Sequence, residues 1–178
     1  MVIRHAAAVL GVVLLAGTTV FSASAVDPAR AGAATTAVRT CGGQTIKLKW
    51  KEKRTLRLHN HKRRSRDLRA LCVSAKLTKA ARAHSASMIK NDYFGHGSLG
   101  SRLKRYGYHW RRCAENIAGG SGPYGSPSNI FKRWMSSSGH RANILDGRLR
   151  EVGIGTYKGT YKGKRRYTMY TVDFGRRR

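Results

Sequence analysis

The spacing of the apolar residues changes along this chain, and the change sets its fold class. In the middle, Ser74 is a suitable N-cap, and the residues after it have helical spacing. The apolar face of that helix consists of Leu77, Ala80, Ala81, His84 and Met88. Near the end, Val152–Ile154 and Tyr167–Phe174 are rich in β-branched and aromatic residues, as in the two strands of a hairpin. Helices first and strands last, without regular alternation, predict an α+β fold.

Three more helices are predicted from local signals. The first covers the fifties and early sixties and ends near Ser65–Asp67, and the next covers Ser98–Tyr106. The last opens at Ser126–Pro127, a cap followed by proline at the first helical position. Residues 119–125 consist mainly of glycine and serine and are predicted as a loop, as is the segment around His140.

The N-terminus has the features of a secretory signal. Arg4 precedes a short apolar segment, Ala8–Ala16, and Ala23–Ala25 supplies the small residues of a cleavage site. We therefore predict a signal peptide at residues 1–25, a secreted chain and no transmembrane span after cleavage. An uncleaved anchor and cleavage after Ala33 are the alternatives. Residues 26–49 are predicted as a linker and residues 50–178 as the folded domain.

The charge is strongly one-sided. The 178 residues contain 36 Lys and Arg but 8 Asp and Glu, a formal net charge of +28. Such a chain attracts polyanions, so an anionic cell-wall polymer or lipid surface is the expected partner. The alternative is that the charge serves solubility alone. The basic runs Lys47–Arg69 and Lys158–Arg166, with Trp50 in the first and Tyr157 and Tyr161 at the second, could hold phosphates and stack bases. They carry no nucleic-acid motif, so a solvated basic face is the favoured interpretation and nucleic acid a weaker candidate. The sequence indicates no oligomeric state.

Three cysteines allow one disulfide and leave one thiol. Cys72 and Cys113 both fall in the predicted domain, whereas Cys41 falls in the predicted linker. We therefore predict a Cys72–Cys113 bond with Cys41 free.

A few residues are candidates for chemistry. Glu115 is flanked by small and apolar residues, so burial would leave its carboxylate in need of a cation, a metal or several donors. His96 and His140 lie on glycine-flanked segments, and two histidines with one glutamate form a donor set that zinc accepts. Equally, Glu115 could accept backbone N–H groups and the three residues could be unrelated. His84, on an apolar helix face, is predicted to be a core histidine.

Several segments together resemble one family, the bacterial CAP superfamily domains of the cysteine-rich secretory, antigen 5 and pathogenesis-related 1 group. They are Leu77–Ser85, Tyr93–His96, Ala114–Ala118, Trp134–Leu145 and Glu151–Gly155, in this order. The resemblance covers about residues 50–174 and implies a three-layer α-β-α sandwich. It also implies a cleft in which two histidines and two glutamates hold a divalent metal such as zinc.

The metal site that the resemblance implies is incomplete in this sequence. His96, Glu115 and His140 match three of the four positions. Ser136–Ser138 stands where the second glutamate is expected, so Glu151 is the candidate fourth ligand. The three matched residues are expected to meet in one cleft, and Glu115 without a metal is expected to hydrogen-bond an imidazole.

Two functions remain open from the sequence. The first is a secreted, envelope-associated binding module whose cleft takes a divalent metal or a small ligand. The alternative is a secreted nuclease, peptidase or cell-wall hydrolase that uses Glu115 with His96 or His140 as catalytic base and acid.

Overall fold

The computed structural model describes residues 35–178. The predicted signal peptide and residues 26–34 of the predicted linker lie outside the described residues. Six strands and five helices form in the described part: β1 (Thr35–Arg39), β2 (Thr45–Lys49), α1 (Trp50–Arg64), β3 (Cys72–Val73), α2 (Ala75–Lys90), α3 (Leu99–Arg105), β4 (Trp110–Gly120), α4 (Pro127–Ser136), α5 (Ser138–Leu145), β5 (Glu151–Tyr161) and β6 (Lys164–Arg177).

The core is a four-stranded sheet between two layers of helices. Its strand order is β3-β5-β6-β4, with β4, β5 and β6 antiparallel and β3 parallel to β5. On one face, Ile130 and Trp134 of α4 and Ile144 of α5 pack against the sheet, with α1 beside them. On the other face lie α2 and α3, which bury Leu77 and Leu103. The predicted α+β class and its α-β-α sandwich are confirmed.

Two glycines of β5 let α2 lie directly on the sheet. A Cβ added at Gly153 or Gly155 would collide with the backbone of Leu77 or of Ala81. The helix and strand therefore approach more closely than side chains would permit. Ser74 caps α2 as predicted, because its side chain accepts a hydrogen bond from the Leu77 N–H.

The linker prediction is corrected for residues 35–49. These residues form a β1-β2 hairpin, and Leu48 within it is fully buried. The turn of the hairpin joins the domain, since Thr40 forms a bridge with Val73 of β3. The short alternation of apolar residues and lysines in β2 was too brief to identify a strand from sequence alone.

The predicted disulfide is wrong. Cys41 is bonded to Cys72, with their Cα atoms 5.4 Å apart, and Cys113 is a free, half-buried thiol. The reason is the strand order. Cys72 lies on β3 and Cys113 on β4, at opposite edges of the sheet with two strands between them.

Two predicted loops are regular structure instead. Of the predicted loop at residues 119–125, Gly119 and Gly120 end the long strand β4, which also carries Glu115, and Gly122–Gly125 form a 3₁₀ turn. The segment around His140 is the helix α5. Small residues in both segments obscured their periodicity, and in β4 the burial of successive residues hides the strand alternation.

Candidate functional site

Two buried carboxylates face each other across neighbouring strands. Glu115 of β4 is paired with Asp173 of β6, and their exposed fractions are 6% and 0%. Burial raises the pKa of Glu115 to about 7 and raises that of Asp173 well above its usual range. Ionising both of two adjacent buried carboxylates is costly in free energy, so this pair tends to keep one proton.

Arg102 of α3 supplies the positive charge of this group. Its Nη2 forms an ion pair with Glu115 Oε2 and lies 3.6 Å from Asp173 Oδ1. Its Nη1 donates to the carbonyl oxygen of His96 at 2.9 Å. One guanidinium therefore holds α3, β4 and the His96 segment together and lowers the pKa of Glu115 against the effect of burial.

Two histidines border Glu115. His96 Nδ1 lies 2.8 Å from Glu115 Oε1, and the His96 side chain is 55% exposed. His84 is buried, donates from Nε2 to the carbonyl oxygen of Gly95 at 3.0 Å, and lies 3.7 Å from Glu115 Oε2. Burial and then the charge of Arg102 lower the pKa of His84 to about 4. The prediction of a core histidine holds, although His84 also borders the site.

His140 reaches the same region from α5. Its Nδ1 lies 2.9 Å from the Ser137 hydroxyl, and its carbonyl oxygen accepts from Asn116 Nδ2 at 3.0 Å. Asn143 donates to Asn116 Oδ1 at 2.9 Å and to the Glu115 carbonyl oxygen at 3.2 Å. These amides fix α5 against β4. Burial and then the neighbouring His96 lower the pKa of His140.

A cavity of about 510 Å³ opens beside these residues. His96, His140 and Arg133 line it, and none of its lining residues in the described chain is acidic. Arg133 lies 4.3 Å above the Tyr124 ring and donates to the Gly119 carbonyl oxygen at 2.9 Å. The apolar part of the wall is largely aromatic: Phe94, Trp134, Tyr161 and Tyr167.

Three of the four predicted site residues meet and the fourth does not. His96 connects Glu115 to the cavity that His140 also lines. Glu151 starts β5, is paired with Gly175 of β6, and is bound to Arg177 at 3.0 Å. Because β6 lies between β5 and β4, Glu151 belongs to another part of the sheet.

The donor set of this site suits a resident zinc ion poorly. Both oxygens of Glu115 are engaged, one by His96 and one by Arg102. Within residues 35–178 no group of three or more His, Cys, Asp or Glu side chains is placed to hold a metal. A zinc ion ligated by His96 and Glu115 would replace the hydrogen bond between them and would compete with the Arg102 charge on the same carboxylate. Zinc binding stays a prediction.

Sequence reasoning missed Arg102 and Asp173. Arg102 is one of many basic residues, and nothing in its neighbours distinguishes it. Asp173 did leave a signal, because it is a lone carboxylate within the apolar and aromatic run Tyr167–Phe174. A charge at a core position of a central strand requires a partner, and that requirement could have directed attention to it.

Residues 56–174 match the family model described as CAP, the Cysteine-rich secretory protein family. The chain belongs to this family. Its CAP domain is 36% identical over 109 residues to an uncharacterized protein of Bacillus subtilis, YkwD, covering 58% of this chain and 41% of that one. A second protein of that bacterium, the uncharacterized membrane protein YlbC, is 31% identical over 124 residues, covering 64% and 35%. The chain thus spans about two fifths or less of these relatives.

Two similar solved structures come from other bacteria. An extracellular protein containing an SCP domain from Bacillus anthracis superposes with a TM-score of 0.63 at 25% identity, covering 76% of this chain and 47% of that one. An outer surface protein from Borrelia burgdorferi superposes with a TM-score of 0.60 at 17% identity, covering 82% and 100%. None of these four descriptions names a hydrolase, so the hydrolase alternative gains no support from them. In residues 35–178, no helix is long and apolar enough to cross a membrane.

Proposed function

We propose that this CAP domain is an exported binding module of the cell envelope. Its basic surface holds it on anionic wall polymers or lipids, and its cleft takes a small ligand. The observation that carries the proposal is that five of the seven carboxylates in the described residues are buried or paired with arginine.

The described residues include seven carboxylates, most of which are buried or paired. Glu52, Glu115 and Asp173 are buried. Asp146 and Glu151 form ion pairs with arginines. The solvent-exposed surface is therefore more uniformly positive than the amino-acid composition alone suggests. Its electrostatic field extends over about one Debye length into the solvent.

Export is supported by three independent features. The sequence predicts a signal peptide at residues 1–25. The Cys41–Cys72 bond suits an oxidising compartment. A similar solved structure is described as an extracellular protein.

The cleft, which is the cavity lined by His96, His140 and Arg133, suits a small ligand with a flat apolar part and an acceptor or anionic group. Aromatic rings such as those of Trp134 and Tyr167 offer apolar contact, while Arg133 offers a charged donor. His96 and His140 add polar groups at the same cavity.

The test is salt extraction of the full chain from the envelope fraction of an expressing bacterium. Release should increase as NaCl is raised from about 0.15 M to 1 M, because the Debye length falls from about 8 Å to about 3 Å. A parallel wash with non-ionic detergent should release little. Retention that is indifferent to salt but lost in detergent contradicts the proposal.

A further inference from the structure

One face of α1 carries a line of basic side chains. Arg54, Arg57, His61 and Arg64 are all exposed and follow one another at intervals of three, four and three residues. We call these four residues the α1 stripe. At its N-terminal end, Trp50 is 45% exposed. At 1.5 Å per residue, the stripe extends about 15 Å along one side of the helix.

The buried face of α1 holds the stripe outward. Glu52, Thr55, His59 and Arg63 are each fully buried. Glu52 is bound to Arg82 at 2.6 Å, and Arg63 donates to the carbonyl oxygens of Ile144 and Asp146 at 2.8 and 3.0 Å. These polar contacts at both ends of the helix fix its rotation, so the stripe cannot turn into the protein.

The stripe is uncompensated by negative charge. Among the described residues, no carboxylate lies within ion-pair distance of Arg54, Arg57 or Arg64. Like charges three or four residues apart destabilise a helix. Their arrangement is therefore explained better by a partner than by stability.

The stripe is long and narrow. Its four side chains surround an open depression of about 400 Å³, which Leu58 also lines. A flat membrane contacts a broad patch, whereas basic side chains that follow one another along a helix suit a thread-like polyanion. Binding of single-stranded nucleic acid uses a series of aromatic platforms for its bases, but Trp50 is the one exposed aromatic of this helix. Guanidinium groups pair well with phosphate oxygens.

We propose that the α1 stripe is a binding site for a linear phosphodiester polymer without bases, such as a poly(glycerol phosphate). This assignment rests on the proposed envelope function and identifies which part of the basic surface recognises the polymer. The cleft takes no part in this recognition.

The test compares two variants of equal charge. In one, Arg54→Gln, Arg57→Gln and Arg64→Gln remove three cations from the stripe. In the matched control, Lys158→Gln, Lys164→Gln and Arg165→Gln remove three exposed cations from the β5–β6 hairpin. Circular dichroism and thermal melting establish that both variants are folded. Binding of the full mature chain to poly(glycerol phosphate) is then measured across a range of salt concentrations.

The stripe variant is expected to lose roughly tenfold or more in affinity at low salt, and its slope of log K against log salt should shrink by about 0.7 for each lost phosphate contact. The control should lose much less. Trp50 fluorescence should change when the polymer binds the wild-type chain, and a Trp50→Phe variant should remove that change.

Three outcomes would overturn the inference. Equal losses of polymer affinity in the two variants would mean that the polymer is held by the basic surface as a whole and not by the stripe, which is all that the proposed function requires. Stronger binding to vesicles of anionic lipid, or to single-stranded DNA, would assign the stripe to another class of partner. If the wild-type chain binds none of these polyanions in a salt-dependent manner, the proposed function itself fails.

Discussion

The carboxylate of Glu115 lies across one strand pair from that of Asp173, and Arg102 is the cation between them. This arrangement links the interior of the sheet to the cleft, because Glu115 also binds His96. It accounts for the position of His96 without any metal. The site is therefore organised by an internal ion pair.

Replacing Arg102 should destabilise the domain strongly. Arg102→Met would leave the buried carboxylates without their cation, and breaking one side of a buried pair costs about 3–5 kcal/mol. The free energy of unfolding in urea measures the effect. Arg105→Met is the matched control, since Arg105 is exposed on the same helix and should change stability by less than about 0.5 kcal/mol. Equal effects of the two changes would refute this reading of the ion pair.

Zinc binding should be limited by Arg102. If zinc is ligated by His96, Glu115 and His140, the nearby Arg102 charge competes with the metal for the Glu115 carboxylate and repels it, so a folded Arg102→Gln chain should bind zinc more tightly than the wild type. Calorimetric titration with zinc chloride measures both affinities. Affinity should fall as the pH drops through the histidine range, because protonated imidazole cannot ligate. Tight zinc binding by the wild-type chain that Arg102→Gln does not improve would contradict the stated competition.

Acid should destabilise the domain through His59. This side chain is fully buried, and burial lowers its pKa from 6.5 to about 4. Between those values the unfolded chain takes up a proton that the folded chain does not, so the contribution of His59 to stability is full above pH 6.5 and is lost as the pH drops toward 4. The raised pKa of Glu115 acts in the opposite direction, so the His59 part is obtained by comparison with a variant. In His59→Phe this part of the pH dependence should vanish. Urea unfolding at several pH values measures it, and an unchanged slope would count against the assignment.

The Cys41–Cys72 bond should contribute measurably to stability. Its ends are 31 residues apart, for which the chain-entropy model gives about 3–4 kcal/mol. The double change Cys41→Ser and Cys72→Ser should lower the free energy of unfolding by about that amount, whereas Cys113→Ser should not. Peptide mapping that finds Cys113 bridged to Cys72 would refute the pairing.

Local patterns in the sequence were enough to predict the class of fold and most of its elements. The helix after Ser74 and the strand that includes Phe174 were both predicted from local residue patterns, and both form in the folded chain. The segments around His96, Glu115 and His140 could also be identified from the sequence, because a family motif is defined by residue types at given sequence positions and does not require the distances between them.

Which side chains meet could be learned only from the folded chain. Strand order put Cys72 and Cys113 at opposite edges of the sheet, and it placed Glu151 on a different strand from Glu115 with β6 between them. It also brought Asp173 beside Glu115 and Arg102 between them, although 58 residues of chain separate the two carboxylates (173 − 115). Such contacts depend on register and strand order, which are settled by how whole faces pack together, and no local pattern carries that information.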